Sequence, residues 1–368
     1  MRKKLLLMSM VLLGALVLSA CGGAIRGTTW SGLAADETTA YLADVSLVYG
    51  VNLSDGRELW RFSDGDDNKA QFYANPAITT DGLVIVGSAA GKHILYALDP
   101  KDIATVDNIK RPVVEWTFTG AGGPWVASPL VLDNLLFAPN SDGKLYVLDL
   151  SDGQSQKQPV RVITLAGRLW SQPVTDGERV FITSLDHSVF AVDIATYQTV
   201  WSVDVEGAIP GSPVIGSDGM LYVGSLASRL ERFDPQTGAH TSVLDAEDWI
   251  WGTPTLDGDD LFFGDLKGNF YSFNTSNGQL NWSTQPDGAI TAGSLLQNEH
   301  LLLATESGNL YAISKDGSVL WFEEVGGKIY ASPVAVGELI LVAPLETDFY
   351  LTALDADGRQ VWTFTPEN

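Results

Sequence analysis

The chain has 368 residues, 45% of them hydrophobic, and its 11 Trp, 11 Tyr and 14 Phe exclude a disordered polymer. With 22 Lys and Arg against 45 Asp and Glu, the net charge of −23 excludes sequence-independent nucleic-acid binding, which needs basic side chains to displace counterions from phosphates. The single Cys excludes an intrachain disulfide and a thiolate metal cluster.

In chain order, the first element is an address. Residues 1–4 are basic, and residues 5–17 form an uncharged apolar run. The run is short of the roughly 20 residues needed to span a bilayer and fits the core of a secretory signal. It ends in Leu18, Ser19, Ala20 and Cys21, which resembles a bacterial lipobox. In such a signal the small residues pass the peptidase, the Cys thiol is lipidated, and the Cys becomes the N-terminus. The bland reading is a buried free Cys behind an apolar helix. Two or more acyl chains anchor stably where one is marginal, so the lipobox implies permanent attachment to a membrane. The expected division is a signal peptide over residues 1–20, the lipidated Cys21 and a tether over residues 21–26, and one folded domain over residues 27–368. Without residues 1–20 the net charge moves from −23 to −26, because Arg2, Lys3 and Lys4 leave and no acid does.

The rest of the chain is one unit written eight times. Each unit has an apolar-aromatic stretch ending in a polar marker, then a turn, and usually a Trp. Unit two reads Leu95-Tyr96-Ala97-Leu98-Asp99, and unit three Leu145-Tyr146-Val147-Leu148-Asp149. The markers are Asn52, Asp99, Asp149, Asp193, Asp234, Asn274, Ser314 and Asp355, 40 to 50 residues apart. Four short β-branched or aromatic runs per unit, separated by turn residues, is propeller arithmetic. The expectation is all-β: a single eight-bladed β-propeller of four-stranded antiparallel blades. The marker turn has a mechanism, since an Asx side chain bonds the backbone ahead of it and Gly supplies positive φ. No stretch of the repeats shows a helical period, and helix is possible only in residues 101–108, an insertion between the third and fourth strands of unit two. The ring closes in one of two ways. Residues 24–29 add an outer strand beside residues 360–364, or blade eight abuts blade one without sharing strands.

The tryptophans fall into two sets. Trp60, Trp116, Trp201, Trp282, Trp321 and Trp362 follow the marker at a near-fixed distance, longer where the insertion intervenes. One ring per outer strand reads as a wedge between blades, each burying about 150–250 Å². Units three and five lack it, so their edges should be looser. Trp30, Trp125, Trp170, Trp249 and Trp251 fall where the first strand of a unit begins, ahead of a proline such as Pro129, Pro173, Pro213, Pro254 or Pro333. Aligning units there places Trp30, Tyr73, Trp170, Trp251 and Tyr330 in one column. The first strand is innermost, so these five, with Trp125, form a candidate aromatic collar at one mouth of the channel. The alternative is that they pack as core.

The repeat Tyr-Ala-Leu-Asp, Gly, Trp resembles that of the pyrroloquinoline-quinone-type β-propellers over residues 27–365. With the lipobox, the chain is similar to the propeller lipoproteins of the outer-membrane β-barrel assembly machine. The resemblance implies a non-catalytic scaffold that binds cell-envelope proteins, a β-barrel assembly pore protein first among them. Its place would be the periplasmic side of the outer membrane in a cell with two membranes, and otherwise the outer face of the cytoplasmic membrane. The residues argue against an enzyme. Quinoproteins of this repeat family typically set a vicinal Cys pair against the quinone, and this chain has one Cys, so neither that cofactor nor another is expected. His93, His187, His240 and His300 lie in four different units, never at chelating spacing, and the acidic run from Asp64 has Lys69 where a calcium loop needs Gly; no metal is expected. No nucleophile elbow, P-loop or zinc-protease motif occurs. The alternative function is a small-ligand carrier or sensor, for quinone or carbohydrate, with the collar as its pocket.

Overall fold

The computed structural model describes residues 30–65 and 67–367; the signal, Cys21 and residues 24–29 lie outside them. Among the described residues there is no helix, and the strands form eight antiparallel sheets in chain order. The fold is an eight-bladed β-propeller. The first blade sets the plan with β1 (Gly32–Ala35), β2 (Thr39–Asp44), β3 (Leu47–Asn52) and β4 (Glu58–Phe62), paired in that order. Its marker turn works as its chemistry requires. Asn52 Oδ1 accepts the Ser54 N–H at 2.8 Å, and Gly56, at φ 70°, donates its N–H to the Asn52 carbonyl.

The second blade departs from the plan. Its first strand is split into Gln71–Phe72 and Ala77–Ile78, both paired to Val84–Ala90. Residues 101–108 are not helical. They extend the third and fourth strands, Leu95–Val106 and Ile109–Phe118, into a long hairpin that turns at Asp107 and Asn108, with φ 52° and 64°. The reason is local: Ile103, Thr105, Val106 and Ile109 favour strand, and both flanks are already in register.

The wedge tryptophans lie at a β-bulge, each opposite a small residue of the third strand. Trp60 faces Gly50, Trp116 Ala97, Trp201 Ala191, Trp282 Ser272, Trp321 Ala312 and Trp362 Ala353. Blade three, which has no Trp, pairs Val147 with Arg161 instead. The ring needs the space, since a Cβ on Gly50 would lie 2.3 Å from Trp60. From the bulge the indoles of Trp201, Trp282, Trp321 and Trp362 reach the marker turn of the next blade. The Nε1–H groups of Trp201, Trp282 and Trp362 donate to the carbonyls of Pro235, Lys315 and Leu53 at 3.0, 2.7 and 2.8 Å. The turn glycines Gly238, Gly317, Gly358 and Gly56 each lie against such a ring.

Where a Trp is missing, the next turn differs. After blade three the glycine position is Tyr197, packed into the interblade cluster. After blade five, Gly278 has open space where its Cβ would be. At the seam after blade two, where Trp116 is present, buried Lys157 of blade three donates to the Leu150 carbonyl at 3.4 Å, pairs with Asp152 and sits 5.7 Å from the Trp116 ring.

Ring closure joins blade eight to blade one without strand exchange among the described residues. Trp362, Phe364, Leu341 and Leu351 share one buried cluster with Leu33, Leu42, Tyr49 and Val51. Arg61 Nη2 donates to the Glu367 carbonyl at 2.9 Å.

Candidate functional site

The innermost strands are tied to one another around the channel by a belt of short polar side chains. The Gln172 N–H donates to Ser212 Oγ at 3.0 Å, the Ser212 N–H to Thr253 Oγ1 at 2.9 Å, and the Gly293 N–H to Ser332 Oγ at 2.9 Å. Between blades one and two, Asn75 Oδ1 accepts the Leu33 N–H at 3.0 Å. Each link runs from one blade's backbone to the next blade's side chain. This explains the polar residue before proline: proline leaves the strand edge without a donor, and the hydroxyl satisfies the neighbour's.

Just ahead of the belt the extended chain alternates its side chains between two environments. One column, Phe72, Trp125, Leu169, Ile209, Ile250, Ile290 and Ile329, is buried between blades, each at most 1% exposed. The next residue in each blade faces the channel mouth. That column is Trp30, Tyr73, Val126, Trp170, Pro210, Trp251, Thr291 and Tyr330, all half-buried, and its rings line one cavity of about 490 Å³. Trp30, Tyr73, Trp170, Trp251 and Tyr330 are therefore brought together, while Trp125 is not part of the collar. It sits one residue out of step, so its ring points into the core and its Nε1–H donates to the His93 carbonyl at 2.9 Å. Trp249 is two residues before the collar position and 48% exposed.

The collar rings touch. The Trp30 ring lies 5.9 Å from Trp170 and 6.5 Å from Tyr73, centroid to centroid. The Trp170 Nε1–H donates to Ser141 Oγ at 3.1 Å. A connected cavity of about 440 Å³ shares Trp30, Trp170, Trp251 and Tyr330 and adds Leu266 and Glu306. Among the described residues no Lys or Arg lines either cavity, and Glu306 is the one carboxylate in their lining. Pyrroloquinoline quinone is a tricarboxylate, so a lining with a carboxylate and no base does not fit it.

Glu306 was not foreseen, although the repeats carry a signal for it. It follows the second strand of blade seven, and its N–H donates to the Ala289 carbonyl. The same backbone link is made by Leu185, Leu226, Leu266 and Leu345 in other blades. A Glu in a leucine column is an anomaly visible only once the turns are aligned.

A closed propeller of quinoprotein-type repeats, with an aromatic mouth whose lining does not suit the quinone, defines the class. The chain belongs to the family described as outer membrane protein assembly factor BamB, whose model matches residues 19–243, 244–315 and 287–368. Among curated relatives, the BamB of Kangiella koreensis is 25% identical over 191 residues, 49% of this chain and 45% of that protein. A lupanine 17-hydroxylase [cytochrome c] from a Pseudomonas species is 27% identical over 207 residues, 50% of this chain and 28% of that enzyme. The chain thus spans less than half the length of these relatives. The crystal structure of BamB from Moraxella catarrhalis superposes with a TM-score of 0.67 at 18% identity, covering 94% of this chain and 97% of that one, which shows the shared fold.

Proposed function

We propose that this chain is a non-catalytic, lipid-anchored scaffold that binds another cell-envelope protein in outer-membrane protein assembly. The observation that carries the reading is the family match, which runs through the whole repeat array. In this reading Cys21 holds the lipid, residues 21–26 form the tether, and residues 27–368 are the body on the periplasmic side of the outer membrane. The aromatic mouth supports a binding role, because large rigid rings left half-exposed provide contact area at low entropic cost. The test is purification from membranes with the anchor intact. A β-barrel assembly pore protein recovered in stoichiometric amount is the expected result, and Cys21→Ser should release the chain into the soluble fraction. Recovery of the chain alone, or quinone-dependent dehydrogenase activity, overturns the reading. The second reading, a small-ligand carrier, is favoured by the 490 Å³ mouth cavity. It predicts a rise in melting temperature with a sugar or quinone and no protein partner.

A further inference from the structure

The mouth is built from rings and one charge. Glu306 is half-buried, lines the cavity with three tryptophans and Tyr330, and its carboxylate has no hydrogen-bond or ion-pair partner among the described residues. Packing does not explain it, since four other blades place Leu at that position. Of the lysines on adjoining loops, Lys267 pairs with Glu247 and Lys328 with Glu346 at 3.5 Å; Lys328 also feels the Glu306 charge, but only at longer range than an ion pair. A half-buried carboxylate set among rings is an acceptor already in place for an incoming cation, whose charge-assisted hydrogen bonds are the stronger kind. The surrounding ring faces attract cations, best from Trp and within about 6 Å of the centroid. Trp30 and Trp170 touch, centroids 5.9 Å apart, so a cation meets this pair from the cavity side and not between the rings.

We propose that the mouth is a receptor for a cationic side chain, Arg or Lys, carried on an extended segment of the partner protein. The guanidinium or ammonium sits against the collar rings and its charge is met by Glu306. The acidity of the whole chain, −23 by formal count, favours a basic segment as occupant and speeds its encounter. The proposal rests on the partner-binding reading above and assigns it a site and a chemistry.

The probe is a dye-labelled, end-capped Gly-Pro-Arg-Pro-Gly peptide, followed by fluorescence polarisation at low salt, with the Glu peptide and spermidine as comparisons. The expected result is saturable binding of the Arg peptide, at least tenfold weaker binding of the Glu peptide, and loss of affinity with added salt. Glu306→Gln should weaken the Arg peptide about tenfold. Glu306→Leu installs the residue other blades use, so it should keep or raise the melting temperature while weakening the peptide as much. Wild-type affinity in Glu306→Leu, or equal binding of the Glu peptide, overturns the proposal. Spermidine binding tighter than the Arg peptide overturns the commitment to a protein segment. If the envelope partner is recovered equally by wild type and Glu306→Leu, the cation site falls and the scaffold function stands. If the peptide binds but no partner is recovered, the site stands and the scaffold function falls.

Discussion

Trp362→Ala tests what holds the ring shut. Trp362 is 8% exposed, its Nε1–H donates to the Leu53 carbonyl at 2.8 Å, and its ring lies against Gly56 of the first blade. Truncating a buried Trp costs about 3–5 kcal/mol, and the carbonyl left without a donor adds roughly 1 kcal/mol. With an unfolding entropy of about 2.1 cal/mol/K per residue over roughly 340 residues, 1 kcal/mol is worth about 1.4 °C. The expected loss is therefore about 6–8 °C by differential scanning calorimetry, provided the transition stays single. Trp362→Phe keeps most of the ring and loses the hydrogen bond, so about 1–2 kcal/mol should go. The comparison that matters is Trp282→Ala. Trp282 makes the same contact between blades six and seven, but it is half-buried and the chain itself joins those blades. Its loss should be about half as large. An equal or greater loss for Trp282→Ala would refute the idea that closure leans on Trp362 more than an internal seam leans on its own wedge.

Three further outcomes follow from the same geometry. Gly50→Val puts side-chain atoms where the Trp60 ring lies, since a Cβ there would come within 2.3 Å of it, and should destabilise by about 3 kcal/mol or more, read as a lowered urea midpoint. Blade five pairs buried Glu231 with Ser242 where other blades pair a small residue with Trp, and burial raises the Glu231 pKa. Glu231→Ala with Ser242→Trp should fill the space beside Gly278 and gain about 1–3 kcal/mol at pH 7, whereas Ser242→Trp alone should gain nothing. Burial, with the hydrogen bond to Asp265 at 2.8 Å, pushes the Tyr271 pKa up to about 12, so the folded state keeps a proton that the unfolded chain releases near pH 10. Its stabilising contribution is complete below pH 10 and lost as pH rises through about 12; the stability gap between wild type and Tyr271→Phe should shrink across that window.

The repeat was legible because the turn chemistry is written locally: marker, Gly and Trp lie within one hairpin, and the eight copies reinforce one another. The collar was legible in part. Alignment on the proline finds Trp30, Tyr73, Trp170, Trp251 and Tyr330, but Trp125 shows the limit, since in an extended strand a one-residue offset turns a side chain from channel to core. Residues 101–108 stayed open between helix and strand because a short insertion has no strong period of its own, and the pairing of its flanks decided it. The belt lay out of reach for a different reason. Ser212 and Thr253 look like ordinary strand residues, and their role appears only when a neighbouring blade brings an N–H within 3.0 Å.

Because each blade is drawn from one unbroken stretch, every pairing between its strands is local in sequence, and the seam between blades one and eight joins the parts farthest apart in the chain among the described residues. Such a molecule lends itself to assembly in order. A chain emerging N-terminus first can complete each blade and lay the next upon it, with little loop entropy to overcome at any step. Until the last forty or so residues arrive, the first blade keeps a greasy flank, Leu42, Tyr49 and Val51, open to solvent. The vulnerable interval in this protein's birth is therefore the wait for its eighth blade, and truncation near the C-terminus should be more hazardous to the whole than its small length suggests.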